Sequence, residues 1–298
     1  MSVTSTDSTT STGTLSPTKD VAAAVLPDDA PPPATVKRES PFAVVLPPVI
    51  LGAMIIGGWY YLSYGVLDKS RRFLLEPPHR VWSKGFANTE SMKELLSGLW
   101  RTGKIAIFGL VIAIIVGIAL ATLMSQSKLL ERAVFPYSVM LQSMPILAIV
   151  PLIGFWFGYG KTSRIFIAFF IAVFPIVVNT LFGLLGADQG MHDMLTLHNA
   201  GRFTRLWKVQ FPAALPAIFT GLRISAGLSV IGAIVGDFLF GSGEVGIGQM
   251  MKRYAARLEG EQLLAAVFMS CAFGVAVFIF FGWMSKRFIG KWSTESRR

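Results

Sequence analysis

The sequence has little charge and almost no cysteine. Only 15% of its 298 residues are Asp, Glu, Lys or Arg, whereas 53% are hydrophobic, which is too apolar for a soluble domain of this length. The single cysteine, Cys271, excludes an intrachain disulfide. Three histidines are the other soft ligands, and His192 and His198 lack a third partner, so we expect no metal site. The composition is that of a polytopic membrane protein.

Basic residues outnumber acidic ones, but they are not arranged as a nucleic-acid surface. The formal net charge is +10, and Lys and Arg are concentrated in the gaps between apolar runs. There they can fix topology or meet lipid headgroups or a partner protein. No basic groove with interleaved aromatic residues is visible, so we expect contact with membrane lipid and no nucleic-acid partner.

Motifs for catalysis are also missing. The stretch FGYGKTS, residues 157–163, has part of a phosphate-binding loop, but that loop requires a glycine five residues before Gly160, where this sequence has Phe155. Paired carboxylates and a nucleophile with its base are not found either. We therefore expect a non-catalytic chain that binds no cofactor itself. If its activity consumes ATP, another chain must bind the nucleotide.

Six apolar runs are long enough to cross a hydrocarbon layer of about 30 Å as helices. They are predicted at residues 42–66, 103–124, 133–158, 163–186, 214–240 and 262–285. The third run contains Pro136, Pro145 and Pro151, which remove backbone donors, so we expect a kinked or broken span inside the bundle.

The runs divide the chain into four parts. Residues 1–40, rich in Ser, Thr and Pro, are expected to form a disordered tail. Residues 41–96 hold the first span and the segment after it. Residues 97–285 form the transmembrane core with a long loop at 187–213, and residues 286–298 form a basic C-terminal tail. The positive-inside rule does not orient this arrangement, since each side would carry thirteen Lys and Arg residues.

The loop at 187–213 carries the pattern of a structured element. The sequence predicts a short amphipathic helix there, and a second helix before it, separated by residues 199–201, which tolerate the left-handed conformation. Two prolines then mark the start of span five. A surface helix anchored in lipid is the alternative. The basic side of the predicted helix is Arg202, Arg205 and Lys208, its apolar side is Phe203, Leu206, Trp207 and Gln210, and the prolines are Pro212 and Pro216.

This loop resembles the cytoplasmic loop of type I ABC importer permeases, in which Glu-Ala-Ala is followed by a Gly and, thirteen residues beyond that Gly, by the end of a Leu-Pro pair. Counted back from Phe211-Pro212, the Gly position is Asn199 and the Glu position is Asp193. The resemblance implies that the loop couples the permease to an ATPase. The implied coupling residues are Asp193, Asn199, Ala200, Gly201, Arg202, Phe203, Arg205, Trp207 and Pro212.

Two longer stretches, 143–180 and 215–251, look like the permeases of nitrate, sulfonate, taurine and pyrimidine-precursor importers. The motifs that carry this resemblance are PILAIVPL at 145–152, WFGYG at 156–160 and GLR at 221–223. The resemblance covers residues 74–292 and implies an all-α integral membrane protein with six transmembrane helices and a cytoplasmic coupling-helix loop, the transmembrane domain of a type I ABC importer. It also implies a bacterial cell membrane, with both termini cytoplasmic.

The same resemblance implies partners and a function. The partners are two ABC ATPase subunits that use ATP-Mg, a second permease copy in a homodimer, and a periplasmic or lipid-anchored solute-binding protein. The permease would form the translocation path for a small polar solute, such as a sulfonate, a nitrate-like anion or a pyrimidine or thiamine precursor.

Polar residues in the spans are candidates for that path or its gates. An aspartate at the membrane centre costs about 2.5 to 3.5 kcal/mol on insertion scales, so Asp237 should face protein or water. The alternative is a structural pairing of Asp237 with Arg223, or with a backbone group near the outer surface. Residues 241–261 predict a short external or re-entrant helix. The candidate path residues are Gln142, Ser143, Asn179, Arg223 and Asp237.

Two rival functions stay open from the sequence. A secondary transporter could use a proline-broken span with Asp237 as a proton relay. A membrane scaffold or sensor subunit would need no path. Uptake that follows the proton gradient without an ATPase favours the first, and reconstituted solute flux counts against the second.

Overall fold

The structure, a computed structural model, describes residues 41–289, and every regular element among these is helical. The predicted tail at 1–40 and the C-terminal residues 290–298 lie outside the described residues. The chain divides into two compact units, Met1–Ala53 and Met54–Arg298. The described residues of the first unit belong to the first half of α1, Pro41–Tyr61, and the features below belong to the second.

Nine helices organise the described chain. A π-helical turn, Leu62–Val66, follows α1, and short helical turns fill much of residues 69–86. The others are α2 (Thr89–Gln126), α3 (Lys128–Ser143), α4 (Ile146–Phe157), α5 (Lys161–Leu185), α6 (Gln189–Leu197), α7 (Arg202–Leu239, with a π-helical turn at Leu206–Gln210), α8 (Ile247–Arg257) and α9 (Gly260–Ile289).

The length and apolarity of these helices confirm the predicted multi-span membrane architecture. Five helices qualify as candidate spans by themselves, and the pair α3 and α4 adds a sixth if it is one bent span. The second span is longer than predicted, because α2 begins at Thr89, where the Asn88 side chain accepts hydrogen bonds from the Glu90 and Ser91 amides. The predicted boundary at residue 97 therefore falls inside a helix.

The proline-rich third span is broken, as predicted. The axes of α3 and α4 differ by 100°, with Met144 and Pro145 between them. Proline disfavours a helical conformation at the residue before it, and Met144 is accordingly extended. The expectation that this span lies inside the bundle is wrong for the single chain. No residue of α3 is buried, and α4 buries only Ile153 and Gly154.

The core of the second unit is the packing of α2 and α7 on α5. These helices approach closely because small residues meet at their contacts: a β-carbon on Gly109 would lie 2.6 Å from the β-carbon of Ala168, and one on Gly232 would lie 2.8 Å from the Ala168 α-carbon. Ala168 is fully buried. Close backbone approach at small residues is how helices associate in lipid, where apolar burial drives little.

The predicted short helix after span five is present as α8. Its Ile247, Met250 and Tyr254 are buried against Leu95 of α2 and Ala265 of α9. The Tyr254 hydroxyl donates a hydrogen bond to Glu94 Oε2 at 3.2 Å. Burial, followed by the Glu94 carboxylate, raises the pKa of Tyr254 to about 12, so this hydroxyl stays a neutral donor at physiological pH.

The contact at Ala168 yields a direct test. Gly109→Ala places a methyl group 2.6 Å from the Ala168 β-carbon and 2.9 Å from the Phe169 amide nitrogen, and neither atom can move aside without shifting the α5 backbone. We expect a loss of about 1 to 3 kcal/mol, seen as a lower midpoint of thermal unfolding in detergent. Gly227→Ala is the matched control, because a β-carbon there meets nothing within 4 Å. Equal midpoints for the two variants would refute the close-packing interpretation.

Candidate functional site

The loop at 187–213 contains the predicted helix, break and helix. The first helix, α6, is capped by Asp188, whose side chain accepts from the Gly190 amide at 2.8 Å. It ends at His198, and Asn199 adopts the left-handed conformation with φ of 50°. The break is thus confirmed and is made by Asn199. Gly201 has φ of −65° and ψ of 162°, so the glycine is not used there for its left-handed freedom.

The second helix of the loop is not the separate element that the sequence predicted. It continues without interruption from Arg202 to Leu239 as α7, so Pro212 and Pro216 do not mark a break. A π-helical turn at Leu206–Gln210 precedes the first proline, and the Phe211 amide donates to the Leu206 carbonyl, five residues back. This wider turn accommodates a proline, which lacks an N–H and would crowd an ordinary turn.

The apolar residues of the second helix divide between two environments. Leu206 and Val209 are buried, with exposed fractions of 6% and 7%, and Leu206 belongs to the main core. Phe203 and Trp207 are 74% and 58% exposed, and Trp207 stacks on Phe211 with ring centroids 5.0 Å apart. The aliphatic pair therefore fixes α7 under the bundle, while the aromatic pair is available to another surface.

Exposed apolar side chains extend along the first helix as well. Asp193 is exposed between two of them. We call these exposed side chains the loop surface, and a cluster of large apolar side chains left uncovered on a structured loop is typical of an interaction site. The loop surface consists of Met191, Met194, Leu197, Phe203 and Trp207.

Two of the three basic residues of the loop, Arg202 and Arg205, line a cavity. A polar cavity of about 340 Å³ separates the loop from the junction of α2 and α3. Arg205 also donates to the Ala200 carbonyl at 3.1 Å, which closes the break, and Gln126 donates to Gln210 at 3.1 Å. The charged residues and the histidine of the cavity wall are Lys128, Glu131, His192, Arg202 and Arg205.

The five candidate path residues do not form one cluster. Gln142 and Ser143 are exposed at the end of α3, and the Ser143 hydroxyl donates to the Met140 carbonyl. Asn179 on α5 donates to the Pro175 carbonyl at 2.8 Å. Arg223 on α7 is exposed, with its guanidinium 3.9 Å from the centroid of the Phe278 ring on α9. Of the five, Gln142 lines a cavity of about 560 Å³.

Asp237 is fully buried and has a partner that the sequence did not suggest. Its carboxylate accepts from Arg164 Nη1 at 3.1 Å and from the Thr102 hydroxyl. The suggested pairing with Arg223 is wrong, because the two residues lie fourteen positions apart on one helix, about 21 Å along its axis. A path or gate role for Asp237 stays a prediction, although neither cavity described above includes it.

The Arg164 guanidinium joins α5 to α7 and to the loop that follows α7. Besides Asp237, it donates to the carbonyls of Phe240, Ser242 and Glu244 at 2.7 to 2.8 Å. Thr102 of α2 accepts from the first amide of α8, at Ile247, at 2.9 Å. Gly246 leaves room for the Asp237 carboxylate, which a β-carbon would overlap. We call Arg164, Asp237 and Thr102 the buried polar cluster.

The sequence analysis does not single out Arg164, although it falls within the predicted span at residues 163–186, because it stands close to Gly160 and Lys161 at the edge of the apolar run. The available signal was its place one turn inside α5, where an arginine has to be paired or to reach the surface.

Several bilayer-length apolar helices with an exposed, structured loop place the chain among multi-pass membrane proteins. Residues 109–290 match the family model described as "Binding-protein-dependent transport system inner membrane component". The chain belongs to this family, the permeases of ABC transporters. This confirms the resemblance drawn from the two sequence stretches.

Curated relatives transport different small solutes. The formylaminopyrimidine transport permease protein ThiX of Halalkalibacterium halodurans is 32% identical over 206 residues, which cover 69% of this chain and 81% of that protein. The nitrate import permease protein NrtB of Synechocystis is 29% identical over 235 residues, 75% of this chain and 82% of that protein. These relatives are permeases of one family, and the solutes in their names differ.

Solved structures support the fold. The chain resembles one from inward-facing conformations of the MetNI methionine ABC transporter, with a TM-score of 0.57 and 17% identity, over 68% of this chain and 98% of that chain. This likeness covers nearly all of the solved chain, so the predicted all-helical fold class is confirmed.

The buried polar cluster generates a stability prediction. Asp237→Asn leaves the Arg164 charge buried without its counter-charge, so we expect a loss of about 3 to 5 kcal/mol, measured as thermal unfolding of the purified chain in detergent. Arg164→Met combined with Asp237→Asn should cost less than the sum of the single changes.

The control is an ion pair on the surface. Arg257 and Glu259 approach to 4.0 Å with side chains 62% and 37% exposed, so Glu259→Gln should change stability by at most about 1 kcal/mol. If Asp237→Asn lowers stability no more than Glu259→Gln does, the buried polar cluster does not stabilise the fold.

Proposed function

We propose that the chain is the permease subunit of an ATP-driven importer and forms the translocation path for a small polar solute. An external binding protein, periplasmic or lipid-anchored, delivers the solute. A second permease copy completes the path, and two ATPase subunits bind and hydrolyse ATP-Mg. The protein lies in a bacterial cell membrane with both termini and the loop at 187–213 on the cytoplasmic side. The chain itself binds no cofactor.

The observation that carries this proposal is the construction of the loop. A passive connection between spans needs neither a capped helix nor a left-handed residue at a fixed position, and it does not leave five large apolar side chains exposed. The loop surface supplies the apolar contact that a partner can bury. Family membership makes an ATPase subunit the expected partner.

The continuity of α7 suggests how coupling works. Closure of the ATPase pair on ATP would displace α6, and the bond from Arg205 to the Ala200 carbonyl links the break to the start of α7. Since α7 runs unbroken into the core, where it packs along α5, movement at the loop is carried directly to the spans. The permease would alternate between inward-facing and outward-facing states in this way.

The first rival function is a secondary transporter that uses Asp237 as a proton relay. A relay residue has to exchange protons with water or a second titratable group. Asp237 instead contacts Arg164 and Thr102 in a site that is fully buried. We therefore prefer ATP-driven import to proton-coupled transport. The second rival, a scaffold or sensor subunit, is tested by solute flux in proteoliposomes.

The docking role of the loop surface is tested by Leu197→Asp. Leu197 is 84% exposed, so the chain itself tolerates the change, but a carboxylate in an apolar contact loses its hydration. We expect at least about a tenfold loss of ATPase retained on the purified permease, equivalent to about 1.4 kcal/mol. Leu258→Asp is the matched control, since Leu258 is 62% exposed outside the loop. Equal retention in both variants would count against docking.

The left-handed break is tested at Asn199. Asn199→Gly retains the conformation without steric cost, so coupling should persist. Asn199→Val forces a β-branched residue into the same region at a cost of about 1 to 2 kcal/mol, so we expect the angle of α6 to change and ATP-driven uptake to fall severalfold. The measurement is turnover in proteoliposomes at equal permease content. A fully coupled Asn199→Val variant would show that the angle is unimportant.

A further inference from the structure

The larger of the two cavities described lies between α2, α3 and α5, next to the break after α3. Its volume is about 560 Å³, within the range of small-molecule sites. One wall is a group of phenylalanines on consecutive turns of α5, and the exposed Gln142 and Met144 stand at its rim. The wall residues are Phe166, Phe169, Phe170 and Phe174.

The lining contains no charged residue and few polar groups. The Gln142 side chain, exposed at the cavity, forms no hydrogen bond among the described residues, so both ends of its amide are available. The Ser138 hydroxyl donates to the Val134 carbonyl at 3.2 Å and keeps its acceptor capacity. Pro175 has no N–H, so the carbonyl of Ile171 on the same wall lacks its helical donor. The cavity therefore offers mainly acceptors to a guest.

These groups distinguish two chemical classes of solute. A small anion such as nitrate would enter without a cation to replace its hydration, because no Lys, Arg or His is present in the lining. A planar aromatic ring can stack on the phenylalanine wall, where Phe166 and Phe170 already lie with ring centroids 6.1 Å apart. Donors on such a ring would match the free acceptors.

We propose that this cavity is the membrane binding site for the imported solute, and that the solute is an uncharged, planar aromatic heterocycle with at least one N–H donor. The inference rests on the proposed import function and narrows its substrate class. The ring stacks on Phe170 and its neighbours, and an amino group donates to Gln142 Oε1 or to the Ile171 carbonyl. Solute specificity then lies partly in the permease.

The experiment is equilibrium binding to the purified full-length permease complex without nucleotide. The probes are tritiated formylaminopyrimidine and tritiated cytosine as uncharged heterocycles, and labelled nitrate and ethanesulfonate as anions. We expect saturable binding of at least one heterocycle and of neither anion. Gln142→Leu should weaken this binding about tenfold by removing one hydrogen-bond partner of the bound ring.

The Phe170→Leu variant distinguishes a solute bound in the cavity from a lipid chain bound there. Leucine keeps an apolar side chain of similar size and removes the ring, so heterocycle affinity should fall about three- to tenfold, whereas retention of an acyl chain should not change. Phe280→Ala is the control, because Phe280 is 54% exposed on α9, outside the cavity. Unfolding midpoints identify any variant that is merely unstable.

The outcomes separate this inference from the proposed function. Binding of nitrate or ethanesulfonate, heterocycle binding unaffected by both cavity variants, or phospholipid retained in place of every probe would overturn the inference, while ATPase retention and ATP-dependent uptake could stay intact. Heterocycle binding that responds to both variants in a complex that hydrolyses no ATP and moves no solute would support the cavity assignment and refute ATP-driven import.

Discussion

Close contact of three helices at Ala168 is the constraint on which the rest of the second unit depends. Lipid is as apolar as a leucine side chain, so helices in a membrane are held together by packing and polar contacts. Gly109 and Gly232 allow the backbones of α2 and α7 to reach α5 from two directions. With that face of α5 occupied, Phe170 and its neighbours line the cavity on a remaining face.

Features that depend on local chain chemistry could be predicted from the sequence. Span lengths follow from apolar runs, the break at Pro145 follows from proline, and the left-handed Asn199 follows from its side chain. Arg164 could not be paired with Asp237 in advance, because 73 residues separate them and the partner is set by how α5 packs on α7. An arginine near the end of a span has the same sequence pattern whether it reaches water or turns inward.

The faces of the loop were predicted less well, for a geometric reason. A period of 3.6 residues places Phe203, Leu206 and Trp207 on one side of an ideal helix. The π-helical turn at Leu206–Gln210 changes the number of residues per turn, and the bundle covers Leu206 and Val209 while leaving the aromatic pair exposed. Periodicity assumes constant pitch, and this helix departs from it where proline requires more room.

The contact at Gly232 divides the unbroken α7 into a long segment toward the loop and a short segment toward Asp237. Gly232, where α7 meets Ala168, lies thirty residues from Arg202 and five from Asp237, or about 45 and 8 Å along the axis. A rigid unit of α5 and α7 that turns about this contact reduces a displacement at the loop about sixfold at the ion pair, so several ångströms at one end become less than one at the other. The end of α7 at the loop can therefore make a large stroke while the hydrogen bonds of Arg164 remain within their length.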